Sequence, residues 1–584
     1  MSFRPMIRFS QLADRLRQIP AQFLASLCGS GLWLGTLFFA ASLTPSLVPR
    51  AGLIQGLLSG VAFALGYGIG VALRALWRVL HLPAWETSAI GRWSKIIAAL
   101  ACLVIATIFL WHASEWQNSV RLLMGMDPVD SARPILVGSV ATAVVITVIL
   151  LGRLFKRIAR AITDFVDRFA PRRVSAVIGI VAALMLFWSI GNGVLLRAGI
   201  RTLDSSYRQV DGQFDDGLAE PADPRKSGSA ASLLRWADLG RMGRSAIATG
   251  PTEAEITAFT GQPAMEPLRV YVGLKSAETI EERASLALAE MQRVGAFDRS
   301  VLVIATPTGT GWLDPASQMP LEYLHHGDVA TVAVQYSYLP SWLTLLVEPD
   351  YGADTARALF RKIYAHWHSL PRETRPRLYL HGLSLGALNS DLSADLFDVI
   401  GDPYHGALWS GPPFQSRTWR QVTRERQPGS PAWLPRFRDG SVIRFSNQQS
   451  RPGQNNTKGQ NNTGGQAPAP WGPMRIVYLQ YASDPITFFE TQSAWRPPAW
   501  MDEPRGPDVS PELRWYPLIT FLQLGLDLGI ATTTPMGYGH VYAPEQYVDA
   551  WTAVTQPPGW NAGDLQRLKR HLAERIAEEN ASSS

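Results

Sequence analysis

Five long uncharged runs precede residue 200, at about 21–43, 52–72, 96–110, 135–151 and 174–196. Most reach the ~17–25 residues a helix needs to cross a bilayer, the third only if Trp111 and His112 extend it. Five such runs in succession are hard to bury in one soluble core. Residues 1–200 therefore read as an α-helical membrane bundle of about five spans.

The loops orient it. Lys and Arg crowd residues 1–20, 74–95 and 153–173 and are sparse in the alternate loops, the pattern of the positive-inside rule. This places the N-terminus in the cytoplasm and everything after residue 200 outside. The three inner segments carry a net +11 of the chain's +6, so the remainder is −5. The basic pI thus belongs to membrane loops, and no nucleic-acid partner is indicated. Both cysteines, Cys28 and Cys102, lie in spans, leaving the outer part without a thiol. Residues 1–20 read as a basic amphipathic helix on the inner surface. Gly31-x-x-x-Gly35 and Gly52-x-x-x-Gly56-x-x-x-Gly60 put small residues on one helical face, where helices pack closely in lipid. No run carries a central acidic or basic residue, so the bundle reads as an anchor. The proline-rich loop 42–50 is a stiff connector or a docking surface for the outer domain.

Residues 201–229 are polar and read as a linker. From 230 to 584 strand-like and helix-like segments alternate, which predicts a mostly parallel sheet covered on both faces. Strands are expected at 269–274, 300–305, 330–337, 378–381, 407–410 and 474–481. Helices are expected at 278–294, 354–370, 387–400, 518–530, 545–554 and 563–580. Residues 411–473 form a long excursion whose Gln/Asn/Gly-rich part, 449–470, is expected to be disordered.

At 377–390 an apolar strand runs into Gly382-Leu-Ser384-Leu-Gly386 and a helix-like segment follows. A turn that tight needs flanking residues without bulk, and it lifts the serine hydroxyl clear of the sheet: a nucleophile elbow. On such a turn an acid and then a histidine follow the serine. Asp484 stands directly after the strand ending at Tyr481; Asp398 and Asp402 come too early for that loop. Of His405, His540 and His571, only His540 sits in a glycine-rich loop ahead of an apolar helix. Oxyanion donors are the N–H of Leu385 and those of Gly309 and Thr310, in the loop after the 300–305 strand. His325 and His326, with Asp314 and Asp328, match no ligand spacing, so neither metal nor cofactor is expected.

The blocks 42–50, 232–252, 308–315, 335–342 and 381–386 resemble the bacterial membrane-associated α/β-hydrolase family, which joins a multi-span N-terminal region to a serine-hydrolase domain. The resemblance implies an α/β-hydrolase fold and a Ser384-centred site, and no particular substrate. The expected function is a membrane-anchored esterase, lipase or acyltransferase. Its acyl ester, from lipid or envelope, lies on the outer side of the bacterial inner membrane. The alternative is a non-catalytic scaffold or transport accessory that keeps the fold. Trp312, Trp342, Trp409, Trp419, Trp433, Trp495 and Trp500 suit a membrane-facing or acyl-binding surface, or a core. Membrane lipids and an acyl-ester substrate are the expected partners; oligomeric state is not legible.

Overall fold

The structure is a computed structural model of the 584-residue chain. It describes all residues but 1–22, 24, 25, 83–88, 197–205, 208, 216, 342, 345–349, 454–468 and 584. The amphipathic helix expected at 1–20, Trp342 and most of the disorder expected at 449–470 lie outside the described residues. The chain divides into two compact units. One comprises the chain through Trp188 together with Thr491–Pro497 and Ser510–Leu526; the other comprises Ser189–Glu490, Pro498–Val509 and Asp527–Ser584.

The first unit is built on helices α1 (Gly29–Ser42), α2 (Gly52–Val79), α3 (Ala89–Leu123), α4 (Pro134–Val166) and α5 (Arg172–Trp188). Among the described residues four helices are long and apolar enough to cross a membrane: Gly52–Val79, Ile96–Leu123, Pro134–Val166 and Arg172–Gly193. The first expected span is the exception, because α1 has only 14 residues. Its run is interrupted at Ser26, whose hydroxyl turns back to Phe23 O, and at Cys28, whose backbone is extended. The runs at 52–72, 96–110 and 135–151 make longer helices than their apolar cores, and α4 carries the basic residues 153–160 as helix rather than loop, whereas α5 stops at Trp188 and a π-helical segment, Ser189–Leu196, continues its run.

The small-residue faces do the packing expected of them. A Cβ on Gly31 or Gly35 of α1 would meet Tyr67 or Phe63 of α2 at 2.8 or 3.0 Å, and Gly66 and Gly70 of α2, beyond the expected faces, lie as close to α1 backbone. Gly56 and Gly60 likewise admit Val140 and Val144 of α4, at 2.7 and 2.6 Å from where a Cβ would stand. The 42–50 loop is buried rather than a bare connector. Arg50 Nη2 donates to Thr44 O (2.8 Å), Arg50 N to Gln117 Oε1 (2.8 Å), and Gln523 Nε2 to Thr44 O (3.0 Å). Ser119 and Ser510 hydroxyls meet at 2.8 Å. Segments from late in the chain are therefore integral to the helical unit, and the expected boundary at 230–584 does not follow the compact units.

Among the described residues the second unit holds seven parallel strands: β1 (Leu268–Val272), β2 (Val301–Thr306), β3 (Val329–Val334), β4 (Arg377–Leu383), β5 (Gly406–Ser410), β6 (Ile443–Ser446) and β7 (Arg475–Leu479), in the order β1-β3-β2-β4-β5-β7-β6. Six match the expected strands. The seventh, β6, lies in the excursion 411–473; it has four residues and pairs only with β7, too short to register as a period. β2, β3 and β5 are buried at every position, as a sheet covered on both faces requires. Helices α6 (Ile280–Val294), α7 (Pro315–Leu324), α8 (Tyr351–Ser369), α9 (Leu385–Asp391), α10 (Pro544–Thr555) and α11 (Ala562–Ser583) belong to this unit. α6 opens with a capping box of Thr279 and Glu282, which satisfies two otherwise unpaired N–H groups. The helix expected over 387–400 breaks after Asp391 and resumes only at Leu396–Val399. Part of the expected linker also packs here. Asp211 accepts from Gln335 Nε2 (3.2 Å), and Ser227 donates to buried Glu290 (3.3 Å). Its polar residues are the partners these buried groups need.

His325 and His381 are buried and His405 is half-buried. Burial pushes His325 down to about 3 and His381 and His405 down to about 4, from 6.5. Below pH 6.5 the unfolded chain takes up protons that the native state refuses until those lower values. Their stabilising contribution is thus full above 6.5 and eroded as pH falls towards 4. Thermal melts from pH 7 to pH 4 should show that fall, with a shallower slope in His381→Gln.

Candidate active site

The strand order reverses direction at β2 and β4, since β3 returns on one side of β2 and β4 lies on the other. Crevices at the carboxyl ends of such strands are where open α/β sheets bind ligands. Here four ends are aligned by pairing: Thr306 with Gly382, Leu383 with Ser410, and Ser410 with Leu479. Ser384, Asp484 and the loop holding Gly309 and Thr310 come directly after these ends, and His540 comes from a loop much later in the chain.

Ser384 follows β4 and precedes α9, with φ +58° and ψ −127°. That conformation costs a non-glycine residue about 1–3 kcal/mol and persists only where its surroundings impose it. A Cβ on Gly382 would overlap the Gly386 carbonyl, and one on Gly386 would overlap Thr306 O. The two glycines are thus required by close approach of backbone. Ser384 N–H donates to Ser410 O (3.0 Å), tying the turn to the end of β5.

The next residue, Gly411 (φ +48°), lies against the His540 ring; a Cβ there would stand 2.6 Å from Cε1. Gly411 N–H donates to Leu479 O (2.9 Å), and the chain from β7 then reaches Asp484. Asp484 is fully buried, and His540 Nδ1 lies 2.8 Å from its Oδ2. Tyr542 OH also donates to Oδ2 (2.7 Å), Thr487 Oγ1 donates to it at 3.2 Å, and Ile486 N–H donates to Oδ1 (2.8 Å). His540 Nε2 is buried and has no hydrogen-bond partner among the described residues. An unmet buried nitrogen costs about 1–3 kcal/mol, which a fold tolerates where the atom has other work. A second layer braces the pair. Ser483 Oγ accepts from Gly539 N (2.9 Å) and donates to buried Asp508 (2.6 Å), clamping the residues before Asp484 and before His540 together. Gly411, Tyr542 and Ser483 carried no signal in the sequence; only the Gly-rich run beside His540 hinted at close packing.

The loop after β2 passes the turn, since Gly386 packs on Thr306 O. Its own N–H groups are largely engaged: Thr308 with Trp312 O, Gly311 with Thr308 O, and Gly309 with Ser341 Oγ (3.1 Å). The Gly309 N–H, expected as an oxyanion donor, is thus engaged by a serine hydroxyl. Leu385 heads α9 and Thr310 sits at the loop's tip, its carbonyl held by Gln335 Nε2 (3.2 Å).

The rivals are occupied elsewhere. Asp402 is paired with Arg375, two bonds of 2.7 Å, which holds its carboxyl down at about 2. Asp398 is exposed, 4.0 Å from Arg361. His405 Nδ1 meets Leu378 N–H at 3.1 Å, at the opposite end of the sheet, and His571 meets Tyr323 OH at 3.1 Å. Asp314 is buried at the head of α7, and burial pushes its carboxyl up to about 7. His325 bonds Thr555 (2.9 Å). Of the tryptophans, Trp409, Trp419, Trp433 and Trp500 are core, each with its indole N–H bonded, while Trp312 and Trp495 are exposed.

A parallel sheet with a strained serine turn at its switch point and an Asp–His pair two strands away defines an α/β-hydrolase fold. Two family models match the sequence: the alpha/beta-hydrolase family over residues 268–568 and the alpha/beta-hydrolase family N-terminus over 43–251. The chain belongs to this family. Neither a curated protein nor a solved structure matches it.

Proposed function

We propose that the chain is a membrane-anchored serine hydrolase in which Ser384, His540 and Asp484 cleave, or transfer, the acyl group of a lipid or envelope ester. One observation carries this reading. His540 is held by Asp484 through Nδ1 while its buried Nε2 lacks a partner among the described residues, beside the residue following the anchor of the Ser384 turn. In the reaction His540 Nε2 takes the Ser384 proton as Oγ attacks the carbonyl, and Asp484 fixes the tautomer and balances the imidazolium. The N–H groups of Leu385 and Thr310 hold the oxyanion, worth about 3–4 kcal/mol per donor. The alcohol leaves with the proton from His540, and water or a second alcohol releases the acyl group from Ser384.

A fluorophosphonate probe applied to membranes tests this directly. Labelling should vanish in Ser384→Ala and fall strongly in His540→Ala; labelling that survives both ends the proposal. The loop charges further support a cytoplasmic N-terminus and an outward-facing hydrolase unit in a bacterial inner membrane. A reporter active only outside the cytoplasm, fused after residue 584, should be active, and one fused near residue 165 silent. The reverse pattern would put the site in the cytoplasm.

A further inference from the structure

Two stretches of the second unit have no part in the hydrolase reading, the excursion 411–473 and Pro498–Val509, and both reach one buried carboxylate, Asp508. Pro498–Val509 is fixed in place around it. Trp500 Nε1 donates to Phe488 O (2.9 Å), Trp433 Nε1 of the excursion donates to Pro504 O (2.8 Å), and a Cβ on Gly506 would overlap Ala482. Gln448 stands in the turn after β6, where Asn447 Oδ1 accepts from Ser450 N–H (2.8 Å). From there Gln448 Nε2 donates to Asp508 Oδ2 (2.7 Å).

The same oxygen accepts twice from Ser483, from its N–H at 3.2 Å and from its Oγ at 2.6 Å. An O–H···O bond that short belongs to a charged acceptor. The direction of each proton is forced. Gly539 N–H can only donate, so Ser483 Oγ accepts from it (2.9 Å), and the one serine proton goes to Asp508. Ser483 directly precedes Asp484, and Gly539 directly precedes His540. This line of bonds therefore ties acid to base one residue outside each. The loop it holds has little stiffness of its own, being shaped by two glycines at positive φ, Gly537 (+90°) and Gly539 (+55°).

We propose that Asp508 is a positioning residue: it keeps the Ser483 hydroxyl turned to receive the Gly539 N–H, and so holds His540 Nδ1 on Asp484. Asp508 touches none of the reacting groups itself. A misplacement of about 1 Å caused by a substitution away from the chemistry can cost about 100-fold in rate. The loss should fall on kcat, because the loop holds a base. The inference rests on the serine-hydrolase reading, and the experiment separates the two.

The full chain is placed in nanodiscs, its active sites are counted by exhaustive fluorophosphonate labelling, and kcat and KM are measured on a chromogenic ester. Ser483→Ala and Asp508→Leu should each lower kcat per labelled site about 10–100-fold, with KM within about twofold of wild type. The double variant should be no slower than the slower single one, since both break the same line of bonds. Asp508→Asn should bring kcat back to within about threefold of wild type, because it can keep all three bonds. Ser483 N–H is a fixed donor and holds the amide oxygen at the Oδ2 place, so the nitrogen takes that of Oδ1, which has no partner among the described residues. If Asp508→Leu does not fold, Ser483→Ala alone decides. Turnover per labelled site within about twofold of wild type in Ser483→Ala, with only the melting temperature lowered, would overturn the assignment. So would losses that multiply in the double variant, or an Asp508→Asn as slow as Asp508→Leu. A wild type that takes no label at Ser384 would overturn the hydrolase reading and this role with it.

Discussion

Replacing His540 with alanine should lower ester turnover by about 10⁴–10⁶-fold while leaving the fold intact. The two halves of that expectation come from the same contacts. Asp484 loses one donor but keeps Tyr542 OH, Ile486 N–H and Thr487 Oγ1, so its buried charge stays solvated by protein. The variant also removes a buried nitrogen that had no partner among the described residues. Melting temperature should therefore move little. Ser384→Ala should cost as much, and the double variant no more than either single one. Groups that act in one proton transfer are grossly non-additive, because removing either already ends the shared step. Steady-state kinetics on a chromogenic ester in detergent or nanodiscs would measure this. Losses that multiply would mean that the serine and histidine act separately, and the proposed chemistry would be wrong.

The sheet was legible in the sequence because its strands are short apolar runs set between amphipathic helices, a contrast that survives without any tertiary information. β6 escaped because four residues, two of them polar or basic, make no period of their own and depend on β7 for their pairing. Sequence pointed to Ser384, Asp484 and His540 for different reasons. The serine is marked by glycines that backbone collision requires, the acid by its place after a strand, and the histidine by elimination. What no sequence pattern could mark is Gly411, whose missing side chain makes room for a ring 129 positions later. Gly309 was singled out for the right kind of loop, yet the Ser341 hydroxyl claims its N–H.

The route between acid and histidine was the least legible part. Among the described residues no strand separates β7 from His540. Instead the chain gives Thr491–Pro497 and Ser510–Leu526 to the helical unit, where Gln523 bonds Thr44 and Ser510 meets Ser119. Apolar residues in 518–526 look from sequence like a helix of the sheet domain. Only their partners in the first unit reveal otherwise, and Thr44, the partner of Gln523, lies 479 residues earlier.

Asp484→Asn should lower turnover by about 10⁴-fold, and the hydrogen bonds around the carboxylate say why. An asparagine can present either its oxygen or its amide nitrogen to His540. Ile486 N–H, a fixed backbone donor 2.8 Å from Oδ1, accepts no amide nitrogen as a partner, so the amide oxygen must take that side. The nitrogen then falls at the Oδ2 position, where one of its two protons meets a Tyr542 or Thr487 hydroxyl turned to accept and the other faces His540. His540 Nδ1 is forced to accept as well, its proton moves to Nε2, and the ring cannot take the Ser384 proton. The defect is a wrong tautomer in an unchanged geometry, so KM should hold while kcat falls. Asp398→Asn and Asp402→Asn should keep near-normal turnover, since Asp402 serves Arg375 and His368 and Asp398 is exposed. Asp402→Asn should instead lower stability at neutral pH, where its paired carboxylate is ionised, and should lose that effect as the pH approaches 2. Turnover in Asp484→Asn within about tenfold of wild type would show that Asp484 does not set the tautomer. The Asp484–His540 bond would then be structural, and the proposed triad would lose its acid.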